Sequence, residues 1–237
     1  MYIQRFNHDL DLTAIPAFKS LDAAIHDALE SAATVYHLKV GDTLYHQGEA
    51  AHSFYIVMSG GLRLLEHSPE GQTVNIKVHG QGEIFGLLAV SGPYPRRSEA
   101  RAMCESVIAA IGGDDARHLM HRHPALGVLV IDLLVAHIHH AHDRIRTLAA
   151  DRVEQRLART LMLYAEKFGV AQGDEISIDV SVSQQDLAQF TGTTVETINR
   201  TLKGWEGRGL VRRGRRHLDI LDAVRLGDVA EVSEART

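Results

Sequence analysis

Cysteine is nearly missing from this chain, with Cys104 the single example among 237 residues. One thiol cannot close an intramolecular disulfide, and one chain then supplies neither an all-cysteine zinc site nor a four-cysteine iron–sulfur cluster. Positive charge is also in short supply. Lys and Arg number 25 against 30 Asp and Glu, for a net charge of −5 and a pI near 6.3. A uniformly basic nucleic-acid coat is thereby excluded, although a local patch is not. No run approaches the 18 or more uncharged apolar residues of a membrane span. The start, MYIQRFNHDLDL, lacks the basic-then-apolar order of a signal peptide. A cytoplasmic protein with no membrane partner is expected. A P-loop, a G-x-S-x-G elbow and a nucleophile–base set are missing too, so no enzymatic activity and no catalytic residue is expected.

What is present is an ordinary globular balance, 45% hydrophobic and 23% charged, in a length that suits two domains. The charge is unevenly placed. From Gly192 to Leu218, seven Lys and Arg stand against two acids, whereas residues 1–149 carry 12 basic and 16 acidic side chains. An acidic body with one basic region near its C-terminus suggests a sensor joined to an anion-binding head.

Residues 34–112 have the composition of β structure, in runs such as Thr34–Leu38, Phe54–Met58, Leu62–Leu65, Thr73–Val78 and Val107–Ile111. Gly41, Gly48, Gly60, Gly71 and Gly82 punctuate them at intervals of 7 to 12 residues, the rhythm of short antiparallel strands rolled up through tight turns. Pro124 then opens a helical stretch reaching about Leu148. Along it Leu134, Ile138, Ala141, Ile145 and Leu148 follow a 4-3-4-3 spacing, the seam of a two-stranded coiled coil. A helix packed on its own domain is the plainer alternative.

Beyond Asp151 a second helix is expected from Val153, then a short strand Glu175–Ile178. Ser183 and Asp186 are spaced as a capping box, Thr191-Gly192 forms a turn, and another helix runs to about Trp205. Helix, glycine turn and helix make a helix-turn-helix. Leu210–Ile220 reads as two strands around a glycine turn with arginines at its tip, a basic wing. The fold class is therefore α+β: a β-roll over 1–123, a dimerisation helix over 124–150, and a winged helix-turn-helix over 151–237.

These parts, in this order, resemble the Crp/Fnr family of bacterial transcription regulators over roughly residues 30 to 222. The resemblance rests on Gly41–Glu49, Phe54–Gly60, Gly82–Gly86, Arg97-Ser98, Arg152–Ala158 and Thr194–Arg200. It implies a homodimer that binds an inverted repeat in double-stranded DNA, with RNA polymerase as a further partner. On the recognition helix, Glu196 and Arg200 lie four apart on one face. A carboxylate there can accept from cytosine N4 while a guanidinium donates twice to guanine O6/N7. A surface ion pair between the two is the alternative, as is a capping box closed by Glu196 with Thr193. The Val195-Glu196 pair resembles the Fnr-like branch and implies a TTGAT-like half-site, while Asn199 departs from the serine usual in that branch. Thr194 and Lys203 join the DNA-facing set. Arg212, Arg213, Arg215 and Arg216 are assigned to phosphates, as contacts without sequence information.

For the sensor, the resemblance to cyclic AMP-binding members places the effector at Gly86, Leu87, Arg97 and Ser98 of the roll and at Ala141 and His142 of the long helix. Arginine beside a hydroxyl suits a phosphate diester. Leu87, however, stands where those members have a glutamate, and leucine cannot accept a bond from a ribose hydroxyl. Arg97 also has Glu99 and Glu83 as candidate partners. The fifteen histidines raise haem or a metal as the other effector chemistry, with His142 the candidate ligand among His137, His139, His140 and His142, and a second group at His118, His121 and His123. No metal-ligand set is assigned, and an iron–sulfur cluster is not expected. A cyclic-nucleotide regulatory module is one alternative reading. A cupin-like metalloenzyme is another, but His121-x-His123 follows the strands with no glutamate close behind.

Overall fold

The computed structural model describes residues 2–4, 10–178, 180–214 and 217–231. Arg215 and Arg216, both assigned to phosphate contact, lie outside the described residues. The chain divides into two compact units, one comprising residues up to Ser68 with Lys77–His140, the other Pro69–Ile76 with Ala141 onward.

The first unit is built on two sheets. Its strands are β1 (Tyr2–Gln4), β2 (Ala33–Leu38), β3 (Thr43–Tyr45), β4 (Ser53–Ser59), β5 (Gly61–His67), β6 (Thr73–Gly80), β7 (Ile84–Phe85), β8 (Glu99–Ala102) and β9 (Ser106–Gly112). One sheet runs β1-β2-β9-β4-β7 and the other β3-β8-β5-β6. The pairings are antiparallel, as in β2 on β9, where Ala33 faces Ile111 and Leu38 faces Ser106. The five glycines that punctuate the sequence all adopt positive φ, between 77° and 88°, so each turn uses a conformation costly for a residue with a Cβ. At Gly60 the demand is doubled, because a Cβ would lie 2.3 Å from the Glu105 carbonyl oxygen.

Between the sheets lie Tyr45, Tyr55, Val57, Leu62, Phe85, Ala100 and Ile108. A second apolar cluster joins Phe54, Ile56, Ala109 and Ile111 to helix α1 (Ala23–Ala32) and to two short 3-10 turns at Leu12–Ala14 and Pro16–Phe18. Helices α2 (Leu88–Ser91) and α3 (Gly113–Arg122) complete the unit.

Helix α4 is Pro124–Ala150, 27 residues long. By length and a mean hydropathy of 1.5 it is long and apolar enough to cross a membrane, which corrects the expectation that no segment comes near. The uncharged run is broken by Asp132. Its large apolar side chains are exposed in the single chain: Val128, Ile131, Leu134, Val135, Ile138, Ile145 and Leu148. Only Leu126 and Val130 are buried. A helix that leaves this many aliphatic side chains in water has an unpartnered face.

In the second unit, α5 (Val153–Phe168) leads into β10 (Gly169–Gln172) and β11 (Glu175–Ile178), followed by α6 (Gln184–Thr191), α7 (Val195–Gly207), β12 (Val211–Arg213), β13 (Leu218–Ile220) and α8 (Ala223–Glu231). The small sheet is ordered β10-β11-β13-β12. Leu157, Leu161, Tyr164, Leu187, Phe190, Ile198, Leu202, Trp205 and Leu226 are buried.

Candidate nucleic-acid interface and effector site

The helix-turn-helix is set by local chemistry. Ser183 Oγ accepts from the Asp186 backbone N–H (3.1 Å) while Asp186 Oδ2 accepts from the Ser183 N–H (2.9 Å), closing the expected capping box at the start of α6. Gly192, at φ 65°, turns the chain in the left-handed conformation. Thr194 is the N-cap of α7, its Oγ1 accepting from the Thr197 N–H at 3.2 Å. This corrects the alternative of a Thr193–Glu196 box. The first-turn donor is satisfied by Thr194, which leaves the Glu196 carboxylate uncommitted.

Ile198, Leu202 and Trp205 fix the inner face of α7, and Trp205 Nε1 donates to Glu154 Oε1 of α5 (2.7 Å). The outer face then carries Val195, Glu196, Asn199, Arg200 and Lys203, all exposed. Among the described residues neither Glu196, Arg200 nor Lys203 has a hydrogen-bond or ion-pair partner. The surface ion pair between Glu196 and Arg200 is therefore not formed, and both side chains are free for a ligand.

The wing arginines behave differently. Arg212 donates to Glu175 Oε2 (2.6 Å) and to Asp219 Oδ2 (3.0 Å). Those acids raise its pKa above the ordinary value, through the Glu175 hydrogen bond first and then Asp219. Arg213 forks between Glu206 Oε2 and Asn199 Oδ1, the latter at 2.7 Å, while its backbone N–H donates to Glu206 Oε1 (3.1 Å). The Arg213 side chain in turn holds the Glu206 carboxyl below its usual range. In the free protein both Arg212 and Arg213 are therefore paired with acids.

Behind the turn, Arg144 near the end of α4 donates to the Phe190 carbonyl and stacks its guanidinium 4.2 Å from the Phe190 ring centre. Arg156 donates Nε–H to the Thr191 carbonyl (2.8 Å) and Nη1–H to the Asp151 carbonyl (2.6 Å). The free carbonyls at the C-terminus of α6 are thus held by guanidinium groups. These anchors were not anticipated. Arg156 lies within a sequence motif, whereas Arg144 is one more polar residue on a long helix.

In the roll, Gly86 has φ 76°, and a Cβ there would sit 3.2 Å from Arg96 Nη1 and from Tyr55 Cδ2. Leu87 is half-buried and packs on the apolar cluster at α1. Ser98 is half-buried beside the Tyr45 hydroxyl, whose pKa burial pushes up to about 12. Arg97 is exposed and, among the described residues, has no hydrogen-bond or ion-pair partner. The pairing of Arg97 with Glu99 or Glu83 is corrected. Glu99 is taken by Arg101 (2.6 Å) and His46 (3.3 Å), and Glu83 accepts from the Gly80 N–H (2.7 Å).

The buried guanidinium is that of Arg96, which sequence reasoning passed over. It lies 3.8 Å from the Tyr45 ring centre and 5.0 Å from that of Tyr55, and donates Nη2–H to the Ser53 carbonyl at 2.8 Å and the Tyr55 hydroxyl at 3.2 Å. Its only signal in the sequence was a second arginine beside Arg97.

Ala141 and His142 are exposed and fall in the second compact unit. His137, in the first, has its pKa lowered by burial and then by the charges of Lys77 and His140. Among the described residues no group of three or more His, Cys, Asp and Glu is placed to hold a metal ion.

Comparison with known proteins gives both parts a family. Residues 35–123 match the cyclic nucleotide-binding domain, and residues 155–229 match the Crp-like helix-turn-helix domain. The chain is 26% identical over 186 residues to the CRP-like cAMP-activated global transcriptional regulator of Mycobacterium tuberculosis, covering 78% of this chain and 83% of that protein. It is 24% identical over 228 residues to the nitrogen fixation regulation protein FixK of Bradyrhizobium diazoefficiens, covering 95% and 94%. Among solved structures, FixK2 from Bradyrhizobium japonicum superposes with a TM-score of 0.73 at 21% identity, over 83% of this chain and 96% of that one. A roll matching the nucleotide-binding domain, followed by a Crp-like head with a free recognition face, places this chain in the Crp/Fnr family of DNA-binding transcription regulators.

Proposed function

We propose that the chain works as a homodimer that reads an inverted repeat of TTGAT-like half-sites and is controlled by a small effector at the roll. The division of labour is a sensor over 1–123, a dimer helix over 124–150 and a DNA-binding domain over 151–237. It acts by binding, in the cytoplasm, with RNA polymerase as the protein partner.

The observation that carries this reading is the pair Glu196 and Arg200, exposed on the outer face of α7 and, among the described residues, bound to nothing within the chain. A carboxylate and a guanidinium left free on a recognition helix suit cytosine N4 and guanine O6/N7. Thr194, Val195, Asn199 and Lys203 flank them, and the wing supplies Arg212, Arg213, Arg215 and Arg216. The dimer reading rests on the exposed seam Leu134, Ile138, Ala141, Ile145 and Leu148, extended one step upstream by Ile131. Apolar side chains at heptad spacing find their complement in a second copy of the same helix. Two-fold symmetry then brings the recognition helices to half-sites about 34 Å apart.

For the effector, the unpaired Arg97 beside Ser98 favours an anion, with Gly86 and Leu87 of the roll completing the proposed site. The Mycobacterium tuberculosis relative is named as activated by cAMP. Leu87 offers no acceptor for a ribose hydroxyl, which favours an anion whose recognition does not depend on that bond.

The test is competition binding of the full-length protein on duplexes with intact and scrambled repeats. Arg200→Ala and Glu196→Ala are each expected to remove discrimination worth about 1–3 kcal/mol per half-site. Undiminished discrimination in both variants overturns the assignment.

A further inference from the structure

The end of α4, from Ala141 onward, falls in the same compact unit as the helix-turn-helix. Within that stretch the helix turns two kinds of side chain outward. Ala141, Ile145 and Leu148 continue the exposed apolar seam, with Ile145 65% and Leu148 45% accessible. Arg144, one position before Ile145, is turned to α6 instead. Its guanidinium donates Nη2–H to the Phe190 carbonyl and lies 4.2 Å from the centre of the Phe190 ring. Leu148, four residues on, brings Cδ2 to 3.4 Å from where a Cβ on Gly192 would stand. Phe190 is itself buried against α5, its ring 6.1 Å from that of Tyr164. From this anchored point to the recognition helix the chain is short and bonded: the Thr193 N–H donates to the Ala188 carbonyl (3.0 Å), and Thr194 caps α7.

Resting on the reading of the chain as a homodimer on an inverted repeat, we infer that Arg144 is a positioning residue for DNA recognition. Its stack on Phe190 fixes the angle between the dimer seam and the recognition helix, and so sets the half-site spacing that the dimer accepts. One turn of α4 thereby faces the partner copy through Ile145 and its own head through Arg144. The planar guanidinium suits this task, because ring stacking and a directed hydrogen bond together fix its orientation, which a flexible ammonium does not do. Arg144 acts through Phe190 and reads no base, so its effect is on geometry and leaves the sequence preference of each half-site alone.

The experiment uses full-length wild type, Arg144→Ala, Arg144→Lys and Phe190→Leu on duplexes carrying the selected repeat with its own spacer, with one base pair added and with one removed. Scrambled half-sites serve as the reference, and sedimentation in the same buffer reports the dimer. Each base pair of spacer change moves a half-site by about 3.4 Å and turns it by about 35°. Wild type is expected to lose about tenfold in affinity or more on such a change, the size of one lost base contact. Arg144→Ala narrows that loss severalfold while intact half-sites are still preferred over scrambled ones to the wild-type extent. Arg144→Lys stays closer to alanine than to wild type, and Phe190→Leu, which keeps the carbonyl acceptor but not the ring, falls between. If Arg144→Ala does not fold, the lysine and leucine variants decide the outcome.

An unchanged spacing ratio in the variants overturns the proposal while the DNA-binding reading stands. So does a variant that sediments as a monomer, since Arg144 would then act in the seam. Wild type that prefers intact half-sites but accepts every spacing overturns both the proposal and the inverted-repeat reading. Wild type that distinguishes no sequence overturns the DNA-binding reading itself.

Discussion

The roll and the DNA-binding head treat arginine in opposite ways. In the roll Arg96 is 6% exposed and, among the described residues, has no carboxylate partner; its charge is held by two tyrosine faces, a backbone carbonyl and a phenol. In the head, Arg212 and Arg213 are each given acids, while Arg200 and Lys203 are given none among the described residues. A buried cation is tolerated only where polarisable rings and acceptors replace its hydration. A surface cation needs no such cage, and where it meets no internal acid it stays available to an external anion. The seven basic side chains counted between Gly192 and Leu218 therefore overstate the free charge. Glu175 and Asp219, both outside that window, come back onto Arg212 through the small sheet.

The sharpest way to break this contrast is Arg96→Ala. Removing the stacked guanidinium and leaving the Ser53 carbonyl without its donor should destabilise the protein by about 2–3 kcal/mol. Arg97→Ala, at an exposed and unpaired position, should fall within about 0.5 kcal/mol of wild type. Urea denaturation of both variants measures the difference, and equal midpoints would mean that Arg96 is not the structural cation of the roll.

Next comes Arg144, the guanidinium of the second unit that resembles Arg96 in stacking on an aromatic ring and donating to a carbonyl. Its replacement by alanine should cost about 1–2 kcal/mol, with lysine recovering only part. Thermal unfolding of the full chain reports it. Full recovery by lysine would show that charge alone suffices.

Smaller again is the difference between free and committed cations on the DNA side. Lys203→Ala should lower the slope of log K against log salt by about 0.9 for each phosphate that the lysine neutralises. Arg212→Ala should lower it less, because part of that charge is neutralised before DNA arrives. Binding titrations across a salt series separate the two. Identical slopes would mean that Arg212 releases its acids on the DNA.

The smallest effect concerns pH. His137 has its pKa depressed below the ordinary 6.5 by burial, so the unfolded chain binds the proton more readily than the folded one. Stability then rises as pH climbs from below the folded value towards 6.5, and falls when the solution is acidified through that window. His137→Gln should flatten this dependence in melting curves taken between about pH 5 and 7.5. An unchanged pH profile would remove His137 as its source.

Much of the architecture was legible before any coordinates. The positive-φ glycines, the Ser183–Asp186 box, the Gly192 turn and the extent of α4 all follow from local rules about φ angles, caps and periodicity. So does the outer face of α7, because burying Ile198, Leu202 and Trp205 leaves Glu196 and Arg200 no other side to occupy. Other elements escaped. The short strands β3, β7 and β8, at 3, 2 and 4 residues, are too brief for alternation to register. Helices α1, α3 and α8 were not anticipated either. In α3 the interest of His118 and His121 drew attention from the acids Asp114 and Asp115 in its first turn and the basic residues in its last.

What the sequence determined by itself was the longer strands and helices, their caps and turns, and the outer face of α7, since capping, turn geometry and hydrophobic spacing act over a few residues. What only the tertiary structure decided was the partner of each charge. Arg96 rather than Arg97 enters the roll, Arg213 takes the oxygen of Asn199, and Arg144 holds Phe190 across 46 residues of chain. Hydrogen bonds and ion pairs are made at about 3 Å between whichever groups the fold brings together. Separation along the chain leaves no periodic trace of which ones those are.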